Sequence, residues 1–166
     1  MMRTVALVLM SFGLIAITAG GSIAADWGGV VPGDSTMESV RARYGAPTRT
    51  ATQKIDRYDT AQWVYEGAQA PTGMFRMTVD YGLLVSPGFR ADVVRSFKLE
   101  PHPGIFNRLA IIDGWGRPSG AAPAGQTPAF FYDSGLLVYF DKDGWIAQSM
   151  VFTPPQPAGG QAAPQR

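Results

Sequence analysis

The chain has 166 residues but no cysteine, and its single histidine is His102. Without cysteine there can be no disulfide, thiolate metal site, cysteine nucleophile or cysteine-linked lipid anchor. His102 lies between Pro101 and Pro103, where we expect an extended linker, and no Gly-x-Ser-x-Gly motif accompanies it. Phosphate-binding glycine loops and a complete calcium loop are also missing. We therefore predict a protein that is not an enzyme and needs no metal or cofactor.

Charge gives no sign of a nucleic-acid partner. The chain has 14 basic and 13 acidic residues, and a nucleic-acid-binding domain normally shows a clustered basic excess. Scattered carboxylates leave an envelope hydrolase as a less favoured alternative, because glycosidases use paired acids, although no acid pair here forms a recognisable motif.

The first 25 residues have the pattern of a signal peptide. Arg3 supplies positive charge, residues 5–17 are mostly apolar, and small residues surround the expected cleavage after Ala24 or Ala25. About 13 apolar residues are too few to span a bilayer, which takes about 20, so a retained anchor is the weaker alternative. We predict a periplasmic or secreted protein whose C-terminal residues 154–166, rich in Pro, Gln and Ala, form a disordered tail.

A short motif occurs twice, and the two copies predict a duplicated unit. Tyr44-Gly45-Ala46-Pro47-Thr48 is matched 71 residues further on by Trp115-Gly116-Arg117-Pro118-Ser119. The residues around Trp63 match those around Phe130, and residues 95–101 match 148–154. A repeat of this size predicts one domain, residues 26–153, in which units at about 32–101 and 104–153 share a sheet.

Each unit is predicted to contain a helix followed by three strands. The strands are expected near 61–66, 74–81 and 92–99, and again near 129–133, 135–141 and 145–153. The predicted fold class is α+β, with two tandem helix and three-stranded meander units forming one antiparallel sheet that has helices on one face.

The two units differ on the predicted open face of the sheet. Apolar alternation assigns Phe75, Met77, Val79 and Tyr81 to the core, which leaves Arg76, Thr78 and Asp80 facing outward. The same register, carried into the second unit, assigns to the core Phe130, Tyr132, Leu136, Val138, Phe140, Met150 and Phe152. The outward positions of that unit, which include Ala147, are apolar, and exposed apolar surface of this kind often marks a binding site. The predicted partner-binding residues are Phe131, Leu137, Tyr139, Trp145 and Val151. Three alternatives stay open: the C-terminal tail covers them, residues 26–30 cover them, or the register is wrong by one residue.

Two families resemble parts of this pattern. Residues 32–48 resemble the opening of SmpA/BamE-type outer-membrane assembly domains, and residues 138–144 are similar to the last hairpin of that family. The tandem arrangement is similar to β-lactamase inhibitory proteins, which grip an enzyme with the open aromatic face of their sheet. The resemblance implies a protein-binding module of the bacterial envelope or, alternatively, an outer-membrane assembly factor. SmpA/BamE proteins are typically lipoproteins with one unit, and the inhibitory proteins carry disulfides, so this cysteine-free chain departs from both.

Overall fold

The computed structural model describes residues 23–155. The tail from residue 156 onward and the apolar part of the predicted signal peptide lie outside these residues. Within the described residues, neither helix has the length and apolar character needed to cross a membrane.

The described residues form two short α-helices and one antiparallel sheet of eight strands, in the strand order β1-β2-β3-β4-β8-β7-β6-β5. A 3-10 turn at Gly67–Gln69 connects β2 to β3. In chain order the elements are α1 (Met37–Tyr44), β1 (Arg49–Ile55), β2 (Tyr58–Glu66), β3 (Met74–Val85), β4 (Gly88–Pro101), α2 (Arg108–Trp115), β5 (Gly120–Ala121), β6 (Ala129–Phe131), β7 (Leu136–Phe140) and β8 (Ala147–Phe152).

The predicted fold class of two three-stranded units with helices on one face is wrong. Each helix is followed by four strands, and the sheet dominates the described residues. The prediction missed β1 because an edge strand with mostly exposed side chains shows no apolar alternation. It missed β5 because two residues are too few to show a pattern.

The two helix ends have matching geometry. Gly45 and Gly116 follow the helices with φ of 77° and 81°, a region that glycine enters without strain. The Tyr65 hydroxyl donates to the carbonyl of Gly45 at 3.3 Å, and the Tyr132 hydroxyl donates to that of Gly116 at 3.2 Å. The same type of contact therefore joins α1 to β2 and α2 to the residue that follows β6.

The halves meet at β4 and β8, and the core is continuous across this junction. Lys98 pairs with Val151 there, flanked by the pairs Phe97 with Phe152 and Leu99 with Met150. The rings of Phe97 and Phe152 stack with centroids 4.4 Å apart, and neither side chain is exposed. One cluster of buried residues includes side chains from both halves and from both helices, among them Val40 and Ile111.

The predicted register is wrong at two positions where the strands are irregular. Phe75, assigned to the core, is 54% exposed, because the register between β3 and β4 shifts from Met74 to Arg76 and Met74 is buried instead. Ala147, assigned to the open face, is buried, because a second shift opposite Tyr139 and Phe140 turns it inward. Bulges of this kind change which face a residue occupies and leave no mark on the alternation around them.

Candidate protein-binding surface on the open face of the sheet

A row of cross-strand partners crosses the open face through the junction of the two halves. Residues directly opposite one another in an antiparallel sheet have their side chains on the same face, and neighbouring strands are about 4.8 Å apart. The strand neighbours of these residues in β4 and β6 to β8 are buried in the core, so the row points the other way. In order, the row is Val64, Thr78, Lys98, Val151, Leu137 and Phe131.

Three of the five predicted site residues are direct neighbours in this row. Val151, Leu137 and Phe131 follow one another on β8, β7 and β6. Phe131 is 37% exposed, and the other two side chains are half-buried. We call these three residues the apolar row, and it extends over about 10 Å at the usual strand spacing.

The other two predicted site residues are placed differently. Tyr139 lies on the same strand as Leu137 and two residues beyond it, which puts it on the same face, opposite Ser149. Trp145 is 46% exposed but lies in the turn before β8, where its backbone N–H donates to Asp141 Oδ1 at 2.8 Å. Its carbonyl accepts from the N–H of Arg108 at the start of α2. Trp145 is therefore outside the strand row.

The polar half of the open face contains a chain of ion pairs across four strands. Glu66 binds Arg49 and Arg76, each at 3.0 Å, and Glu100 binds Arg76 at 3.4 Å and Lys98 at 3.0 Å. We call these five residues the ion-pair chain. Lys98 is both its last member and the neighbour of Val151, so charged and apolar surface meet there. The sequence prediction did not identify this boundary, because only the pairing of β4 with β8 reveals it.

Electrostatics in the ion-pair chain are centred on Glu66. The hydrogen bond from Arg76 is the largest influence and, with Arg49, it holds the pKa of the Glu66 carboxyl below its ordinary value. The same contact raises the pKa of Arg76. Both carboxylates of the chain are therefore occupied by cations, which makes them poor candidates for a general acid or base.

Two of the three alternatives for the apolar row can be compared with the structure. The segment 26–30 packs elsewhere: Trp27 stacks on Tyr44 with centroids 6.4 Å apart, and Val30 is buried in the core. The register of β6, β7 and β8 places Phe130, Val138 and Met150 inward, as the predicted register requires. The third alternative concerns the tail, which lies outside the described residues.

Four surface pockets of the described residues lie away from the apolar row. They have volumes between about 320 and 590 Å³, and none is lined by Phe131, Leu137 or Val151. Together these four contain one carboxylate, Asp141. Among residues 23–155, no group of three or more His, Asp or Glu side chains is arranged to hold a metal ion.

Comparisons with known proteins do not assign a family. The chain matches no protein-family model and no curated protein. Among solved structures, a DUF4309 family protein, YjgB, from Bacillus subtilis is similar at 13% identity and a TM-score of 0.47, over 76% of this chain and 83% of that one.

Proposed function

We propose that this protein is an exported, non-catalytic binding module that holds a protein partner through the apolar row of its open face. The observation that supports this proposal is the change of chemistry along one continuous row of strand partners. Lys98 and Val151 face each other, yet one belongs to the ion-pair chain and the other to the apolar row. Protein interfaces usually have an apolar centre that is bordered by polar or charged residues.

The shape of the surface supports a macromolecular partner over a small molecule. The apolar row runs across three neighbouring strands and lines none of the four pockets described above. Small ligands normally bind in concave pockets that enclose most of their surface. An open sheet face can instead be covered by a protein surface, with Tyr139 contributing to the contact along β7.

Site-specific photo-crosslinking in the cell of origin tests the proposal. A photoreactive amino acid at Leu137 should form discrete protein adducts, because that residue lies at the centre of the apolar row. Thr78 supplies the matched control, since it pairs with Val64 and Lys98 as Leu137 pairs with Phe131 and Val151. Equal adducts from both positions, or none from Leu137, would contradict the proposal.

A double variant with Leu137→Thr and Val151→Thr provides a second test. It makes two of the three residues of the apolar row polar, as Thr78 is at the corresponding position of the first half, and it places no second cation opposite Lys98. Adducts formed from a probe at Phe131 should disappear, while the melting temperature stays close to that of the wild type, because both side chains are only half-buried and threonine is compatible with strand pairing. If the adducts are components of outer-membrane assembly, they support the envelope-assembly alternative as the form this binding takes.

A further inference from the structure

The two edges of the sheet differ in length. At one end β5 has two residues, and at the other β1 has seven. Among the described residues β1 is paired with β2 only, in an unbroken register from Arg49 opposite Val64 to Ile55 opposite Tyr58. One side of β1 therefore presents backbone N–H and C=O groups that no strand of the described fold pairs with.

The usual protections of a free edge are weak along β1. The strand has no proline, its pairing with β2 shows no bulge, and Arg49 to Thr52 are exposed. Its two charged residues are tied back to β2: Arg49 binds Glu66 at 3.0 Å, and Lys54 binds Asp59 at 3.1 Å. The middle of the strand, from Thr50 to Gln53, carries no charge.

The sequence of β1 is compatible with antiparallel pairing to itself. If Thr52 faces Thr52 of a second copy, then Arg49 faces Ile55 and Thr50 faces Lys54. No two like charges are opposed in this register, and threonine pairs are favourable cross-strand neighbours. A two-fold axis at Thr52 uses the same patch on both copies, as symmetric dimers do.

We infer that β1 is the interface of a homodimer in which two copies join edge to edge into one continuous sheet. The inferred interface lies at the opposite end of the sheet from the apolar row, which is on β6 to β8. Dimerisation would thus leave both apolar rows accessible, and each dimer would present two binding sites. The inference does not depend on the proposed function.

Charge substitutions at Thr52 test the dimer and its register. The full chain, expressed with its own N-terminal segment, should show a concentration-dependent dimer in analytical ultracentrifugation. Thr52→Lys and Thr52→Glu should each be monomeric, because each places two like charges at the axis. An equimolar mixture of the two should regain the dimer, since lysine then faces glutamate. Thr72→Lys, on the loop before β3, is the matched control and should dimerise like the wild type.

Three results would overturn the inference. The first is a wild-type protein that stays monomeric up to about 1 mM, where even a weak association of about 4 kcal/mol becomes visible. The second is a dimer that survives Thr52→Lys, and the third is a mixture that fails to reassociate. The double variant Leu137→Thr, Val151→Thr should keep the dimer, so failure of the dimer and failure of the binding surface are distinguishable.

Discussion

The strands pair in the same pattern in the two halves of the open face, but the side chains differ. Most of those in the first half are charged or polar, and those of the apolar row in the second half are not. Thr78 and Leu137 have corresponding strand partners, and Lys98 and Val151 face each other at the junction. In the first half, the Arg76 and Glu100 side chains form an ion pair. The positions that correspond in the second half are Gly135 and Thr153, where the threonine hydroxyl donates to the glycine carbonyl at 3.1 Å. The comparison shows that equivalent strand positions support an ion-pair chain in one half and an apolar row in the other.

Part of this difference is fixed by the backbone. Gly135 has a φ of 92°, and a Cβ placed there would clash with the carbonyl oxygens of Thr153 and Pro154. An arginine at the position corresponding to Arg76 therefore does not fit without moving the two residues that follow β8. Leu137 and Val151, in contrast, are in regular strand pairing, where a polar side chain such as threonine fits. The apolar row, unlike Gly135, can therefore be made polar by substitution alone.

The largest expected effect comes from removing the contact that joins the halves. Phe97→Ala deletes a fully buried ring that stacks on Phe152 across the junction. We expect a loss of about 3–5 kcal/mol in the free energy of unfolding, the usual cost of a buried Phe to Ala change. Urea unfolding followed by far-UV circular dichroism and by tryptophan fluorescence measures it. Because the core is one cluster, both probes should report the same transition.

Separate transitions for the two probes would show instead that the halves are independent units. Phe75→Ala is the control of the same chemistry, since Phe75 is 54% exposed and lies at a bulge. It should cost much less than Phe97→Ala.

An intermediate effect is expected at the matching helix ends. Tyr65→Phe and Tyr132→Phe each remove one hydrogen bond to a glycine carbonyl, at 3.3 and 3.2 Å. Each should cost about 0.5–1 kcal/mol, at the lower end for a net hydrogen bond because these distances are long. The same urea experiment measures both, and similar losses would show that the two halves are held in the same way.

Tyr81→Phe is the control for the hydroxyl itself. The Tyr81 side chain is not exposed, and among the described residues its hydroxyl has no hydrogen-bond partner. Removing the Tyr81 hydroxyl should leave the free energy of unfolding unchanged or raise it. A buried hydroxyl without a partner has lost its hydrogen bonds to water and has gained none in the protein. A loss at Tyr81 equal to that at Tyr65 would mean that the hydrogen bonds are not the cause.

The pH dependence of the free energy of unfolding provides a second measurement on Tyr65. Burial raises the pKa of its hydroxyl from 10.0 to about 12. The folded state holds the proton of the Tyr65 hydroxyl up to a higher pH than the unfolded state does. The stability that this difference contributes is therefore present below pH 10 and is lost as the pH rises to about 12. Tyr65→Phe should lose less stability than the wild type across that interval.

Local signals in the sequence predicted much of the core but not the sheet as a whole. Alternation placed Met77, Val138 and Phe152 inward, where the structure has them. It could not reveal β1, because an edge strand exposed to water has no reason to alternate. It also could not reveal that β4 pairs with β8, since that contact joins residues more than 50 positions apart and depends on both strands being formed.

For the candidate site too, some residues could be predicted from local sequence signals and others only from the tertiary structure. Phe131, Leu137 and Val151 were predicted from the comparison of the two copies, and regular pairing places them in one row. Trp145 was predicted from the same comparison but lies in a turn, where strand alternation does not apply. The charged neighbour of the row, Lys98, follows only from tertiary pairing.

The smallest expected effect is electrostatic and tests the polar half. Glu66 lies between Arg49 and Arg76, and the hydrogen bond from Arg76 lowers the pKa of its carboxyl from the ordinary value of 4.5. A lowered folded-state pKa adds stability above the ordinary pKa, and this stability is lost as the pH falls below it. Glu66→Gln lacks this dependence. The melting temperatures of wild type and variant should therefore differ at pH 7 and converge toward pH 3.

The matched control is Asp133→Asn, in the other half. Asp133 occupies the position that corresponds to Glu66, but the residue corresponding to Arg76 is Gly135, so it has no guanidinium from that strand. At pH 7 its melting temperature should stay close to that of the wild type, because the Asp133 side chain is exposed. Since the contacts of Glu66 are partly exposed, added salt should also reduce the difference at pH 7. Parallel pH profiles for wild type and Glu66→Gln would show that the ion pairs of Glu66 add no stability.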